Sequence, residues 1–204
     1  MRALLFIGIF VFISFGAQAG EALYATCAAC HGDKGQGNPA MNGPSLTGQS
    51  AGYLAQQLQN FKAGIRGADT RDVMGAQMAA MSNVLVDAAA IQSVSEYIAN
   101  LPLTSVDANV AGVKGDPVIG KNVYIATCAA CHGRKGEGNP SMSAPRLAGL
   151  DEAYFVRQLK NYRDGVRGMH ERDVLGRQMR MMSQALKDET NIKNVITYLH
   201  SVQP

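Results

Sequence analysis

The sequence contains no tryptophan, only four cysteines and only four histidines, and 6% of its residues are aromatic. Beyond residue 15 no apolar run approaches the roughly 20 residues that a membrane-spanning helix needs. No segment alternates apolar and polar residues in the way that predicts β-strands. Runs of Lys and Arg with interleaved aromatics are also missing, which argues against nucleic-acid binding. These absences favour a soluble, helical protein.

The N-terminus has the layout of a secretory signal peptide. Arg2 is followed by an apolar stretch at 3–15 and then by Ala-Gln-Ala at 17–19. A membrane anchor is the alternative, but about a dozen apolar residues are too few to span a bilayer. We therefore expect a signal peptide at 1–19 that is cleaved after its last residue, and export to the periplasm.

Much of the remaining chain is written twice, 101 residues apart. The string ATCAACHG occurs at 25–32 and again at 126–133, and these two strings contain all four cysteines. A repeat of this length predicts two tandem domains, at 20–101 and 118–204. The stretch between them, 102–117, contains Pro, Gly and Asp without periodicity and is predicted to be a linker.

Helical spacing of apolar residues recurs inside each repeat. In the first repeat it predicts a helix at 51–63 that Gly64 ends, and a last helix that starts after Asp87 and ends at Pro102. A short helix should also lead into each cysteine motif. The second repeat offers the same features, and the intervening stretches are rich in Gly, Asn and Pro, which indicates loops. The predicted fold is all-α, with two small helical domains in tandem.

Both repeats carry the spacing Cys-x-x-Cys-His, which is the attachment signal for c-type haem. On one helical turn the two thiols can reach the two vinyl groups of a porphyrin, while the imidazole of the next residue points at the iron. The motifs therefore predict two covalently bound haem c groups. The predicted attachment residues are Cys27, Cys30, Cys128 and Cys131, and the predicted proximal iron ligands are His31 and His132.

Three other chemistries use cysteine pairs of this spacing. A structural disulfide is common in exported proteins, and a thioredoxin-like pair has the same two-residue gap. Neither explains why a histidine follows both pairs. A zinc site built from both pairs is the third alternative, but such pairs normally lie much closer in sequence than 101 residues.

The second axial ligand of each iron is expected to be methionine. The first repeat has a single histidine, His31, so it cannot supply a second imidazole, and Met is the usual partner of His in electron-carrying cytochromes. The methionines shared by both repeats are Met41 and Met142, Met78 and Met179, and Met81 and Met182. The first pair follows the haem motif too closely, which leaves the other two pairs open. His170 and His200 have no counterpart in the first repeat and are expected at the surface.

Taken together, these motifs resemble a class I cytochrome c in duplicate, and closely resemble the two-haem periplasmic family called cytochrome c4. The resemblance covers essentially the whole mature chain. It is carried by the CAACHG motifs, the Gly-Asn-Pro loops, Pro-x-Leu-x-Gly at 44–48 and 145–149, the Tyr-Leu-x-x-Gln-Leu and Tyr-Phe-x-x-Gln-Leu helices, and the Met-x-x-Met segments.

The resemblance implies roles for further residues. It makes Met78 and Met179 the axial ligands, and it leaves Met81 and Met182 to line the haem pockets. It also implies that the backbone carbonyls of two prolines accept hydrogen bonds from the proximal imidazoles and so orient them. These prolines are Pro44 and Pro145. Arg66 and Arg167, which recur after the second helix of each repeat, are expected either to pair with haem propionates or to be solvated surface residues.

The function that the resemblance implies is one-electron transport, with no catalytic site and no small-molecule substrate. The donor would be a quinol–cytochrome c reductase or a dehydrogenase, and the acceptor a terminal oxidase or reductase. An electron-accepting subunit of a periplasmic dehydrogenase is the main alternative, and a dihaem peroxidase or a gas sensor would need an open iron position. Residues 20–106 carry a net charge of −2 and residues 114–204 carry +5, which predicts docking to charged protein partners or peripheral contact with a membrane.

Overall fold

The computed structural model describes residues 15–104, 114–186 and 188–202. These ranges contain nine α-helices and two 3-10 turns, and their only β-structure consists of isolated bridges. The first repeat forms α1 (Phe15–His31), α2 (Ala51–Lys62), α3 (Val73–Ser82) and α4 (Ala88–Ala99). The second repeat forms α5 (Pro117–Thr127), α6 (Ala129–His132), α7 (Glu152–Arg163), α8 (Val174–Ser183) and α9 (Glu189–Ser201). The 3-10 turns lie at Pro39–Met41 and Pro140–Met142. The all-α prediction is confirmed.

The helix that leads into the cysteine motif differs between the repeats because the second has one extra residue. Tyr24 lies three residues before Cys27, whereas Tyr124 lies four residues before Cys128. Helix α1 runs unbroken through both cysteines, but α5 and α6 are separated at Cys128, whose φ is −118°. The break absorbs the extra residue, so both tyrosines occupy the same buried place. Tyr24 donates to the Gly32 carbonyl at 2.6 Å and Tyr124 to that of Gly133 at 2.8 Å.

Each repeat has its own apolar core, built where its first and last helices cross. Helix α1 packs on α4, and α5 packs on α9. The crossings are close because each first helix presents a glycine: a Cβ at Gly20 would lie 2.5 Å from the Ser93 carbonyl, and one at Gly120 would overlap the Asn194 carbonyl. The first core contains Tyr24, Leu54, Ala55, Leu85, Ile91, Val94 and Ile98. The second contains Tyr124, Phe155, Leu159, Leu186, Ile192, Val195, Ile196, Tyr198 and Leu199.

The helix predictions hold with small differences in length. Helix α2 ends at Lys62, one residue before the predicted end, and Asp87 caps α4 by accepting a hydrogen bond from the Ala90 N–H at 2.8 Å. Helix α4 ends at Ala99 rather than Pro102, and the Asn100 side chain there donates to the Glu96 carbonyl at 2.8 Å. Helices α3 and α8 were not predicted. The sequence of α3 mixes methionine with small and polar residues and shows little apolar periodicity, whereas that of α8 has an apolar and a polar side.

The predicted signal peptide, 1–19, falls largely outside the described residues, as does most of the predicted linker. Helix α1 begins at Phe15 and therefore includes the predicted cleavage position. Within the part of the chain that the structure describes, no helix combines the length and apolar character needed to cross a membrane.

Candidate haem-binding sites

Each proximal histidine is buried and held by one hydrogen bond to a proline carbonyl. The side chains of His31 and His132 are 7% and 6% exposed; His31 ends α1, which carries both cysteines of its motif, and His132 ends α6, which carries Cys131 and begins just after Cys128. The Nδ1–H of His31 donates to the Pro44 carbonyl at 2.8 Å, and that of His132 donates to the Pro145 carbonyl at 2.9 Å. Because the carbonyl can only accept, this bond fixes the tautomer and leaves the Nε2 lone pair free for a metal.

Burial also keeps both imidazoles neutral. Desolvation lowers the pKa of His31 and of His132, and the hydrogen bond to the proline carbonyl offsets only part of this effect. A neutral imidazole is the form that binds iron. Each site is therefore preset for ligation at neutral pH.

The loop that brings the proline to the histidine is fastened to the cysteine motif. The Gly37 N–H donates to the His31 carbonyl at 2.8 Å, and Asn38 and Gly43 pair through two backbone hydrogen bonds of 2.8 and 3.1 Å. Gly43 sits so close to the helix that an added Cβ would overlap the Cys30 carbonyl. The second repeat makes the same bonds 101 residues later, starting with Gly138 N–H to the His132 carbonyl at 2.8 Å. The glycines and the proline thus act together to place one carbonyl.

None of the four cysteines, all of which lie in the described residues, forms a disulfide, so all four are available for covalent haem attachment. Burial raises the pKa of Cys27 and of Cys128, so both are protonated at neutral pH. The two pairs do not come together: among the described residues, which include all cysteines and histidines, no three His, Cys, Asp or Glu side chains are placed to share a metal ion. The zinc alternative has no set of ligands here.

The two candidate methionine pairs differ in burial. Met78 and Met179 are half-buried, and Met179 packs against the second core. Met81 and Met182 are 42% and 47% exposed. The lower exposure of Met78 and Met179 favours the first pair as the groups that face the haem pocket.

The two unmatched histidines have local partners. The His170 Nδ1 accepts from the Arg172 N–H at 3.1 Å, and the His200 Nε2 lies 3.3 Å from the Leu150 carbonyl. Both side chains are only partly exposed. Neither joins a group of residues placed to share a metal.

The sequence analysis missed a polar cluster that joins the two domains, here called the interdomain cluster: Gln57, Arg66, Gln158 and Arg167. The Oε1 of Gln57 accepts from Arg66 Nη1 and from Arg167 Nη2, both at 2.8 Å. The Oε1 of Gln158 accepts from Arg167 Nη1 at 2.7 Å and from Arg66 Nη2 at 3.1 Å. Each glutamine therefore bridges the arginines of both repeats.

Both arginines are buried, at 8% and 7% exposure, so the expectation that they are solvated surface residues is wrong. Each guanidinium lies over an aromatic ring of its own repeat, Arg66 at 4.4 Å from Phe61 and Arg167 at 4.5 Å from Tyr162. The exact recurrence of both Gln and Arg in the two repeats was the signal available in the sequence. It did not reveal that the two sets meet.

The interdomain cluster holds two positive charges with no carboxylate among its hydrogen-bond partners. The Nε atoms of Arg66 and Arg167 are buried and have no hydrogen-bond acceptor among the residues that the structure describes. The excess charge reaches a neighbouring phenol: although burial raises the pKa of Tyr154, the two guanidiniums lower it overall. Buried cations require anionic partners. The carboxylates of haem propionates have the charge and planar geometry that these donors fit.

Comparison with known proteins supports the same interpretation. The model of the Cytochrome c family matches residues 17–102 and again 118–203. Cytochrome c4 of Azotobacter vinelandii is 32% identical over 197 residues, which cover 90% of this chain and 89% of that protein. The thiosulfate dehydrogenase electron acceptor of Stutzerimonas stutzeri is 31% identical, with coverage of 84% and 83%. The crystal structure of reduced cytochrome c4 from Pseudomonas stutzeri superposes with a TM-score of 0.67 at 28% identity, over 90% of this chain and 97% of that one.

The two Cys-x-x-Cys-His motifs, each inside a domain that the family model matches, fit two covalently bound haem c groups. The similarity to cytochrome c4 spans both domains and not one of them. The chain therefore belongs to the cytochrome c family, as a two-domain, dihaem electron-transfer protein of the cytochrome c4 type.

Proposed function

We propose that the protein is a periplasmic one-electron carrier in which each iron is held between a histidine and a methionine. The ligand pairs are His31 with Met78 and His132 with Met179. Each haem, when bound, supplies a one-electron iron couple. The observation that carries the proposal is the buried, neutral imidazole in each repeat, fixed by a proline carbonyl at 2.8 or 2.9 Å with its Nε2 free.

The chain's own residues give each site the properties of a carrier. The Pro44 carbonyl orients the His31 ring and increases its basicity as a ligand. The thioether of Met78 or Met179 would supply the second ligand of each iron and so leave no position for a small molecule. Met179 packs against the second core, and a methionine ligand raises the reduction potential of haem iron. A high potential suits a late step in a respiratory chain.

The interdomain cluster would supply the positive charge that two sets of propionates need. We propose that Arg66 and Arg167 bind propionate carboxylates through their unpaired Nε donors, while Gln57 and Gln158 hold the guanidiniums in place. Because each glutamine contacts both arginines, the two sites share one set of donors. This arrangement would fix the relative position of the two domains.

The proposed donors and acceptors are proteins. A quinol–cytochrome c reductase or a dehydrogenase would reduce the carrier, and a terminal oxidase or reductase would oxidise it. A second candidate function is that of the electron-accepting partner of a single dehydrogenase. The 31% identity to a thiosulfate dehydrogenase electron acceptor favours it. The two roles use the same site residues and differ in whether a permanent partner co-purifies from periplasmic extract.

The absorption spectrum of the exported holoprotein tests the proposal. Two low-spin haems, a methionine-to-ferric charge-transfer band and no change on adding carbon monoxide are expected. A carbon monoxide complex at either haem of the unmodified protein would mean an open iron position. The peroxidase or sensor interpretation would then replace the carrier.

A further inference from the structure

The outward side of α8 differs in sequence from the equivalent side of α3. In the second repeat this side is formed by Met169, Val174, Arg177, Arg180 and Met181, here called the α8 face. At the same positions of the first repeat stand Ala68, Val73, Ala76, Ala79 and Ala80. The first repeat thus has small neutral residues where the second has two arginines and two methionines.

The α8 face combines three exposed apolar side chains with two arginines. The side chains of Met169, Val174 and Met181 are 59%, 55% and 66% exposed, and they line a shallow groove of about 490 Å³ with Arg177 and Arg180. Methionines are flexible and polarisable, and they suit surfaces that must adapt to a partner. Three exposed apolar side chains side by side mark an interaction surface better than isolated ones do.

The charge of the groove is positive, with no acidic residue in its lining. Arg177 is exposed, and no carboxylate in the described residues pairs with it or with Arg180; the Nε of Arg180 is buried without an acceptor. The groove also lies in the half of the chain with a net charge of +5. An occupant that presents carboxylates around an apolar contact would be complementary to it.

We propose that the α8 face is the docking surface for a soluble, acidic redox protein, and that α3 has no such role. The inference rests on the proposed function, since Met179 lies on the same helix between Arg177 and Arg180. A partner on this face would be separated from the proposed iron ligand by about one helix diameter, roughly 10 Å. Soluble protein is favoured over a lipid surface because α8 carries no Trp or Phe, the aromatic side chains that anchor interfacial helices.

Titration of the holoprotein with an acidic blue-copper protein, loaded with Zn(II) so that no electron is exchanged, tests the proposal. Amide chemical-shift changes are expected on α8 and not on α3, and the affinity should fall as salt is raised. The double variant Arg177→Ala with Met181→Ala should weaken binding about tenfold. Lys193→Ala, an exposed charge on α9 of the same domain, is the matched control and should change binding much less.

A reciprocal variant guards against indirect effects. Ala76→Arg with Ala80→Met places an arginine and a methionine on α3, and should create shift changes there. Shift changes confined to another surface, or equal affinities for the double variant and the control, would overturn the proposal. If the double variant Arg177→Ala with Met181→Ala lost binding to phosphatidylglycerol vesicles but kept its binding to the copper protein, the α8 face would be assigned to a membrane instead. Concentration-dependent dimerisation lost in the double variant would assign it to a second copy.

The same samples separate this inference from the carrier proposal. If both haems are low-spin and do not bind carbon monoxide, but the copper protein causes no shift changes on α8, only the docking surface is rejected. Carbon monoxide binding by the unmodified protein would reject the carrier, whatever the shift map shows.

Discussion

Replacing Gln57 by leucine tests whether the interdomain cluster stabilises the protein. The substitution keeps the size of the side chain but removes the oxygen that accepts from Arg66 and Arg167, both at 2.8 Å. A hydrogen bond to a charged group contributes about 1.5–3 kcal/mol to the free energy of unfolding. The loss of two such bonds would therefore cost about 3–6 kcal/mol at most. Because Gln158 still bridges both arginines, we expect a loss near the lower end, about 3 kcal/mol.

The assay is denaturant unfolding of the holoprotein, followed by haem absorption and by far-UV circular dichroism. Gln59→Leu is the matched control, since Gln59 is exposed on the same helix. Gln158→Leu should cost as much as Gln57→Leu, and the double variant less than the sum, because the two side chains share both partners. If the unfolding free energies of Gln57→Leu and Gln59→Leu differ by less than about 0.5 kcal/mol, the interdomain cluster does not stabilise the domain contact.

Two further predictions concern the helix crossing and a buried phenol. Gly120→Ala should destabilise the protein by at least about 2 kcal/mol because its Cβ would overlap the Asn194 carbonyl. The control is Gly52→Ala, which has open space around it and should be neutral or stabilising. Equal unfolding free energies for the two variants would show that α5 and α9 can move apart at little cost. Burial raises the pKa of Tyr24 to about 12 from its ordinary value of about 10. Between pH 10 and pH 12, roughly, the Tyr24 phenol loses its proton in the unfolded chain but keeps it in the folded one. The free energy of unfolding should therefore fall with rising pH by up to about 1.4 kcal/mol per pH unit, and Tyr24→Phe should flatten that slope. An unchanged slope in Tyr24→Phe would contradict the raised pKa of Tyr24.

The parts of the fold that the sequence predicted are those governed by local pattern. Helix α2 follows from apolar spacing, and α4 from the same spacing together with the cap residue Asp87. Helix α3 escaped prediction because its Ala, Met and Gln residues show no apolar stripe, although Asp72 caps it by accepting from the Gly75 N–H at 3.0 Å. The cap was visible in the sequence, but a cap alone does not identify a helix.

The residues of the candidate sites also fall into those that a local sequence pattern predicts and those that depend on packing. The CxxCH motif is local, so four cysteines and two histidines could be named from spacing alone. The choice between Met78 and Met81 could not be made from spacing, because both lie on the same helix, α3, and only their exposure distinguishes them. The burial of Arg66 depends on a glutamine 92 positions away in the other repeat. No local pattern carries that information, and arginine is usually an exposed residue.

The most direct test of the central claim compares carbon monoxide binding by two variants of the reduced holoprotein, Met179→Ala and Met182→Ala. If Met179 closes the iron that His132 holds, Met179→Ala should bind one carbon monoxide per chain and show one high-spin haem before binding. Met182→Ala should keep two low-spin haems and bind none. Carbon monoxide binding by Met182→Ala, or its absence in Met179→Ala, would contradict the His/Met assignment on which the account depends.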